Sequence, residues 1–285
     1  MGSWEERESM EVVRRFYDVH AEREWQRLTM EHEPHHWLEF RVAMHLMDRY
    51  LPPPPARVLD VGGGPGRYTI ALAEKGYRLV LFDLSGESLA LARRNAAEAG
   101  VTAQVEGYVQ GTASNLGCFP DDHFDAVLMM GPLYHLIVEE ERLAAVRESL
   151  RVLRPGGVVV ASIINHLGSA RAGLTKFADW YETAECLRIA RSYTLLVGEE
   201  QEHPFTSAYF AHPLELRRWY EDAGAETISM AAQEGIAGGL HDECRRLAEN
   251  PIAWQNWVQI VLETCEDPTI LGGSEHTLYV GRKRT

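Results

Sequence analysis

Arg57-Val58-Leu59-Asp60-Val61-Gly62-Gly63-Gly64-Pro65-Gly66 sets a short apolar run, an acidic residue and a glycine turn directly before a helix-patterned segment, residues 68–74. A run of this length closed by glycines reads as a buried strand. The glycines let the backbone turn sharply, and they let a ligand lie against bare N–H groups where a helix begins and its dipole favours an anion. Two other ligand loops share this outline. A dinucleotide fingerprint needs its third glycine three positions after the second, where Arg67 stands. A phosphate-binding P-loop needs Gly-Lys-Ser/Thr, which is absent. Asp60, ending the strand on the ligand side, would repel a pyrophosphate and attract a cationic amine.

Outward from this turn, strands alternate with helices. Residues 57–61, 77–82, 102–107, 124–130 and 158–164 read as strands, and 68–74, 87–99 and 139–153 as helices, the second closed by Gly100. This rhythm predicts an α/β fold, a doubly wound and mostly parallel sheet with helices on both faces. It breaks after residue 164. Residues 165–213 carry helical and loop patterns with no clear strand. They are followed by a helix at 214–223, a strand at 225–230, helical segments at 241–264 interrupted near Pro251, and a seventh strand at 277–281. Upstream, Val13, Phe16, Tyr17, Trp25 and Leu28 mark an amphipathic helix over 9–28, and 37–50 reads as a second. Pro52 to Pro55 cannot continue that helix and predict a stiff extended connector. One structural domain is expected. Residues 1–51 form an N-terminal helical cap, 57–164 the core and 165–224 a cap insertion, while 225–285 complete the core around a helical insertion at 232–274.

The chain has 285 residues, 45% of them hydrophobic, and 28 Lys plus Arg against 42 Asp plus Glu, a net charge of −14. That length suits one large domain. The acidic surplus works against sequence-independent binding to phosphates, so neither nucleic acid nor an anionic membrane is expected as a partner. No apolar run reaches membrane-spanning length and residues 1–11 are rich in Glu, which points to a cytoplasmic protein. Cys118, Cys186, Cys244 and Cys265 form no C-x-x-C pair and are expected to be reduced packing residues. His32 and His36 have a helical metal-ligand spacing, but Pro34 between them argues against that helix, and no metal is expected.

Asp60, Gly62, Gly64 and Gly66 form the pattern Asp-x-Gly-x-Gly-x-Gly, which resembles motif I of the class I S-adenosylmethionine-dependent methyltransferases. The resemblance extends to Asp83 ending the second strand, to Gly111-Thr112-Ala113-Ser114-Asn115-Leu116, to Phe124 through Met130, and to Leu153-Arg154-Pro155-Gly156-Gly157. It implies a Rossmann-like seven-stranded sheet with S-adenosylmethionine as cofactor and S-adenosylhomocysteine as product. The loop at Gly62, Gly63, Gly64 and Gly66 would hold the methionyl carboxylate, while Asp60 with the carbonyls of Met130 or Gly131 would hold the amino group. Asp83, beside Leu84, would accept from the ribose hydroxyls, and Thr112, Ala113 and Ser114 would border the adenine. Thr112 departs from the family, which commonly has Asp there to accept from the adenine amine.

Gly131-Pro132-Leu133-Tyr134-His135-Leu136 is similar to a bacterial subgroup of small-molecule methyltransferases, as are Tyr17-Asp18, Glu24-Trp25 and Ser274-Glu275-His276. The resemblance implies an N-terminal helix folded over the cofactor, with Tyr17 or Trp25 closing the site or serving only as its buried stripe. His135, just past the fourth strand, is the first candidate base. Tyr134 and His36 are further catalytic candidates, and His203, Tyr209 and Phe210 further pocket residues. The expected reaction moves a methyl group to an O, N or C atom of a small molecule. A protein or RNA methyltransferase and a non-catalytic cofactor-binding module are the alternatives. The motif for methylating bases, Asn/Asp-Pro-Pro-Tyr/Trp, is replaced here by Gly131-Pro132-Leu133-Tyr134.

Overall fold

A computed structural model describes residues 4–176, 178–198 and 204–285. Two helices lead, α1 (Trp4–Arg27), bent at His20, and α2 (Pro34–Tyr50). There follow β1 (Arg57–Val61), α3 (Arg67–Glu74), β2 (Arg78–Asp83), α4 (Gly86–Glu98), β3 (Val105–Gln110), β4 (Phe124–Met129), the single turn α5 (Pro132–His135), α6 (Glu139–Val152) and β5 (Leu153–Ile164). The second half holds α7 (His166–Lys176), α8 (Ala184–Ser192), β6 (Thr194–Leu195), β7 (Ala208–Tyr209), α9 (Pro213–Asp222), β8 (Ala225–Ala232), α10 (His241–Ala248), α11 (Pro251–Thr264) and β9 (His276–Lys283).

The expected sheet is present: seven strands in the order β3-β2-β1-β4-β5-β9-β8, with β9 antiparallel to both its neighbours and the other pairs parallel. Period-two alternation sends its residues to two cores. Val58, Leu128, Val160, Leu278 and Val280 pack with Leu38, Val42 and Leu46 of α2, Leu72 of α3 and Val261 of α11. Leu59, Val61, Val127, Met129, Val159 and Tyr279 face the other way, onto Val146 and Leu150 of α6 and Leu216 and Tyr220 of α9.

Several local readings shift. Residues 165–213 do contain strand, since β6 and β7 pair antiparallel through two residues each, too short for periodicity to register. The proline run turns, with the Ala56 N–H donating to the Pro53 carbonyl at 3.3 Å, so it is not simply extended. α2 begins three residues earlier than its apolar pattern because Pro34 occupies the first helical turn, where a missing N–H costs nothing, and Glu33 caps the His35 amide. Cys118 is exposed, unlike the other three cysteines, and all four are unpaired. No described helix is long and apolar enough to cross a membrane.

Candidate active site

Strand order reverses direction at β1: the chain leaves it for β2 on one side and returns to β4 on the other. The crevice beyond the carboxyl ends of such a pair is where open α/β sheets bind ligands. A cavity of about 980 Å³, counting its mouth, opens there. Its lining comes from the loop Gly62 to Pro65, from Phe82 to Leu84, Gly111 to Ala113, Met130 to Pro132 and Tyr134 to Leu136, and from Met10, Val13, Tyr17, Glu24, Arg27 and Leu28 of α1 and its end. Helix α1 is fastened across the opening. Asp18 accepts from the Ser85 hydroxyl at 2.7 Å, and Glu22 pairs with Arg94 of α4 at 3.1 Å.

The loop needs its glycines for different reasons. Gly62 has φ +71°, and a Cβ there would overlap the Pro132 ring. Gly63 has ordinary backbone, but a Cβ would lie 2.7 Å from Asp60 Oδ2. Gly64, at φ +53°, has nothing within 4 Å of its Cβ position. Its amide donates to Asp83 Oδ2 at 2.8 Å, while Asp83 Oδ1 accepts from the Ser85 amide at 2.7 Å. Burial raises the Asp83 carboxyl to about 6 despite these two donors. Asp60 lies under the loop, fully buried, with Oδ2 accepting from the Thr69 hydroxyl at 2.7 Å and Oδ1 without a hydrogen-bond partner among the described residues. Burial pushes it, too, up to about 6.

Across the cavity, the Tyr17 hydroxyl stands 2.7 Å from His135 Nε2, and His135 Nδ1 is 3.0 Å from the Ser207 carbonyl. A carbonyl only accepts, so Nδ1 carries the proton and Nε2 accepts from Tyr17. Burial lowers His135 to about 4, so the ring is neutral at ordinary pH. A second wall is ionic. Arg27 grips Glu39 through two nitrogens at 2.6 and 3.3 Å and Glu24 at 3.0 Å. Burial opposes the charge of Arg27, but the two carboxylates overcome it and hold its pKa well above the ordinary value. Behind Glu39, His276 Nδ1 lies 2.6 Å from Glu234 and 4.0 Å from Glu39. Burial opposes the charge here as well, but Glu39 and Glu234 raise His276 to about 9.

Known proteins share this design. A family model for a methyltransferase domain matches residues 58–157. A ubiquinone biosynthesis O-methyltransferase of Xanthomonas axonopodis pv. citri is 30% identical over 207 residues, which span 73% of this chain and 75% of that protein. The chain belongs to the class I S-adenosylmethionine-dependent methyltransferases. A ubiquinone/menaquinone biosynthesis C-methyltransferase of Vibrio cholerae is 34% identical over 195 residues, 66% of this chain and 71% of the relative. Among solved structures, an S-adenosylmethionine-dependent methyltransferase from Methanosarcina mazei superposes with a TM-score of 0.57 at 20% identity, covering 84% of this chain and 97% of its own. The CcbJ methyltransferase of Streptomyces caelestis gives 0.58 at 18%, covering 86% and 89%. At these identities the superpositions speak for the fold.

The residues of this methyltransferase fit an adenosyl cofactor. The space in front of Gly64 is bare where any side chain would fill it, and Asp83 presents a buried carboxylate on the same cavity. Of the residues read from the sequence, Gly62, Gly63, Gly64, Asp83, Leu84, Thr112, Ala113, Met130, Gly131, Tyr17, Tyr134 and His135 all line it. Asp60, Gly66, Ser114, Trp25 and His36 stand outside that lining. Gly66, at φ +90°, caps α3, and Ser114 pairs with the Thr112 hydroxyl at 3.1 Å. Trp25 lies under the Arg67 guanidinium, 3.5 Å from its ring centre. His36 stands beside His35 and His241. Tyr209 and Phe210 lie apart, Tyr209 bound to Glu215 and Phe210 packed with Val12 and Leu195. His203 lies outside the described residues.

Arg27, Glu39 and Tyr68 also line the cavity and were not singled out in the sequence. Each sits on an amphipathic helix, and a charged residue there carries the pattern of a solvated face. The cavity is closed by the N-terminal helices. Segment 165–224 acts one layer back, through the Ser207 carbonyl and through Phe205, whose ring centre lies 5.6 Å from that of His135.

Proposed function

We propose that this methyltransferase binds S-adenosylmethionine between the glycine loop and Asp83 and transfers its methyl group to a small molecule held against Tyr17, Tyr134 and His135. The cofactor supplies the activated methyl on a sulfonium centre. The protein's part is to align an acceptor atom and exclude water. The amides of Gly62 and Gly63 donate to the Phe82 carbonyl and that of Gly64 to Asp83, so the loop would serve the methionyl end by letting it lie against backbone free of side chains, with the carbonyls of Met130 and Gly131 near the amino group. Asp83 would accept from the ribose hydroxyls, with Leu84, Thr112 and Ala113 around the adenine. Asp60 would act from below, tying the loop's strand to α3 through the Thr69 hydroxyl.

The observation that carries this reading is one cavity that joins Asp83, the bare face of Gly64 and the Tyr17–His135 pair. An acceptor that loses a proton needs a base in reach. A neutral His135 whose Nε2 accepts from Tyr17 supplies a two-member route for that proton. The ionic wall of Glu24, Arg27 and Glu39 gives the acceptor side a polar end, and the net charge of −14 argues against a nucleic-acid acceptor. The relatives' names include both O- and C-methyltransferases of quinone biosynthesis, which fits a small acceptor.

The test is incubation with methyl-labelled S-adenosylmethionine and a fractionated metabolite pool. Label is expected in a small-molecule fraction, with S-adenosylhomocysteine formed in equal amount. Tight cofactor binding with no labelled product from any fraction would instead favour a non-catalytic binding module.

A further inference from the structure

Away from the cavity, three imidazoles from opposite ends of the chain converge. His35 and His36 lie in the first turn of α2 and His241 begins α10; one ring nitrogen of each lies within 4.8 Å of the others. His35 is fully buried, His241 is 4% exposed and His36 is half-buried. The His35 and His241 ring centres are 3.7 Å apart.

The Nε2 atoms of His35 and His241 are fixed by acceptors. His241 Nε2 lies 2.7 Å from Glu275 Oε1, and His35 Nε2 lies 3.0 Å from the Ala237 carbonyl and 3.5 Å from the same carboxylate oxygen. A carbonyl and a carboxylate only accept, so both rings carry their proton on Nε2 and their lone pair on Nδ1. His241 Nδ1 is buried with no hydrogen-bond partner among the described residues. Leaving such an acceptor unsatisfied is costly. A histidine with one nitrogen held by a carboxylate or carbonyl and a lone pair on the other, packed beside further imidazoles, has the arrangement that orients metal ligands.

We infer that His35, His36 and His241 form a binding site for a divalent transition metal of the zinc class. Imidazole nitrogen suits zinc, copper, nickel and iron rather than calcium or magnesium, and three such ligands leave one tetrahedral position to water on the half-exposed His36 side. None of the three lines the methyl-transfer cavity, so the site is structural. It clips the N-terminal helix α2 to α10 in the C-terminal half. Glu39, one turn beyond His35 on the same helix face, belongs to the cavity wall. Metal binding would therefore stiffen that wall from behind.

The untagged full-length chain is stripped with a chelator and titrated first with Co2+, as a spectroscopic probe, and then with Zn2+. Expected are visible cobalt bands of tetrahedral intensity, their loss on adding one equivalent of Zn2+, and a Zn2+-dependent rise in the melting midpoint. His241→Ala and His36→Ala should each weaken Zn2+ binding by about tenfold or more, whereas His32→Ala, an exposed neighbour, should not. Because His241 is buried and its replacement can unfold the chain, His36→Ala decides, with its metal-free melting midpoint as the control for folding. Absence of cobalt bands and of a Zn2+ shift in the wild type overturns the site, as does binding that survives His36→Ala unchanged. Calorimetry with S-adenosylhomocysteine on the same samples keeps this outcome separate from the methyl-transfer reading.

Discussion

Tyr17 donates its hydroxyl to His135 Nε2 at 2.7 Å, and the Ser207 carbonyl holds the opposite nitrogen of the same ring at 3.0 Å. The two bonds fix the tautomer and tie three parts of the chain together: α1, the turn after β4, and the segment before β7. Burial keeps His135 neutral, down at about 4, and drives the Tyr17 phenol well above its ordinary value. The pair therefore holds one mobile proton between two uncharged groups. Tyr17→Phe leaves a buried nitrogen without its donor and should cost about 1–3 kcal/mol in a denaturant melt. If the pair carries the acceptor's proton, Tyr17→Phe and His135→Ala should lower kcat by about a hundredfold or more, with S-adenosylhomocysteine affinity little changed. Lost affinity with unchanged turnover would make the pair part of the cofactor site.

Asp83 should make cofactor affinity pH-dependent. Its carboxyl is raised to about 6 by burial, and only the ionised form accepts two ribose hydroxyls. A ligand that favours the ionised form binds fully above about pH 7 and progressively more weakly as pH falls through about 6. Asp83→Ala should weaken S-adenosylhomocysteine by about 1.5–3 kcal/mol at neutral pH, and Asp83→Asn should remove the inflection. Calorimetry between pH 5 and 8 reads both, on the order of tenfold per 1.4 kcal/mol. A wild-type curve flat across that range would separate Asp83 from the ribose.

The glycines of the loop should divide into fold and ligand effects. A Cβ at Gly64 has no protein atom within 4 Å, so Gly64→Val should cost chiefly the strain of φ +53°, about 1–2 kcal/mol, while blocking the cofactor. Gly62→Ala drives a methyl into the Pro132 ring and should lose stability and binding together. A Gly64→Val protein that folds and still binds S-adenosylhomocysteine tightly would place the cofactor elsewhere.

What the sequence made legible was written in the backbone. The glycine turn, Asp83 at a strand end and the two-faced alternation of Val58 to Val61 are local patterns, and their meaning survives without knowledge of tertiary neighbours. β6 and β7 have no such signature, because two paired residues make no period. β5 begins at Leu153, five residues before its expected start, since Arg154 to Gly157 read as a turn in isolation. The ionic wall was hidden for a different reason. Arg27 and Glu39 look like solvent-facing charges on helices, and only the folded chain brings them together, Glu39 buried and Arg27 half-buried. By spacing, His36 pairs with His32, four residues away. Its spatial neighbour His241 lies at the other end of the sequence, and no spacing rule reaches that far.

The ionic wall should make folding stability depend on pH. Burial opposes protonation of His276, yet Glu39 and Glu234 raise it to about 9, above the ordinary histidine value near 6.5. A folded-state pKa above the unfolded one means the folded chain holds the extra proton between those values. The stabilisation is therefore fully present below about pH 6.5 and is lost as pH rises through about 9. A shift of this size corresponds to something on the order of 3 kcal/mol. Urea unfolding of the wild type should thus weaken steadily between about pH 7 and 9, and His276→Asn should be less stable at pH 7 and flatter over that window. Buried Cys265, raised to about 11, adds a slope of the same sign only above the thiol's unfolded pKa near 8.5. Between pH 7 and 8 His135, lowered to about 4, still adds a slope of opposite sign that fades above its unfolded value near 6.5, so the difference between the wild type and His276→Asn over that interval reads His276. A variant whose slope there matches the wild type would mean that His276 is not charged in the folded protein, and that Glu39 is held by Arg27 alone.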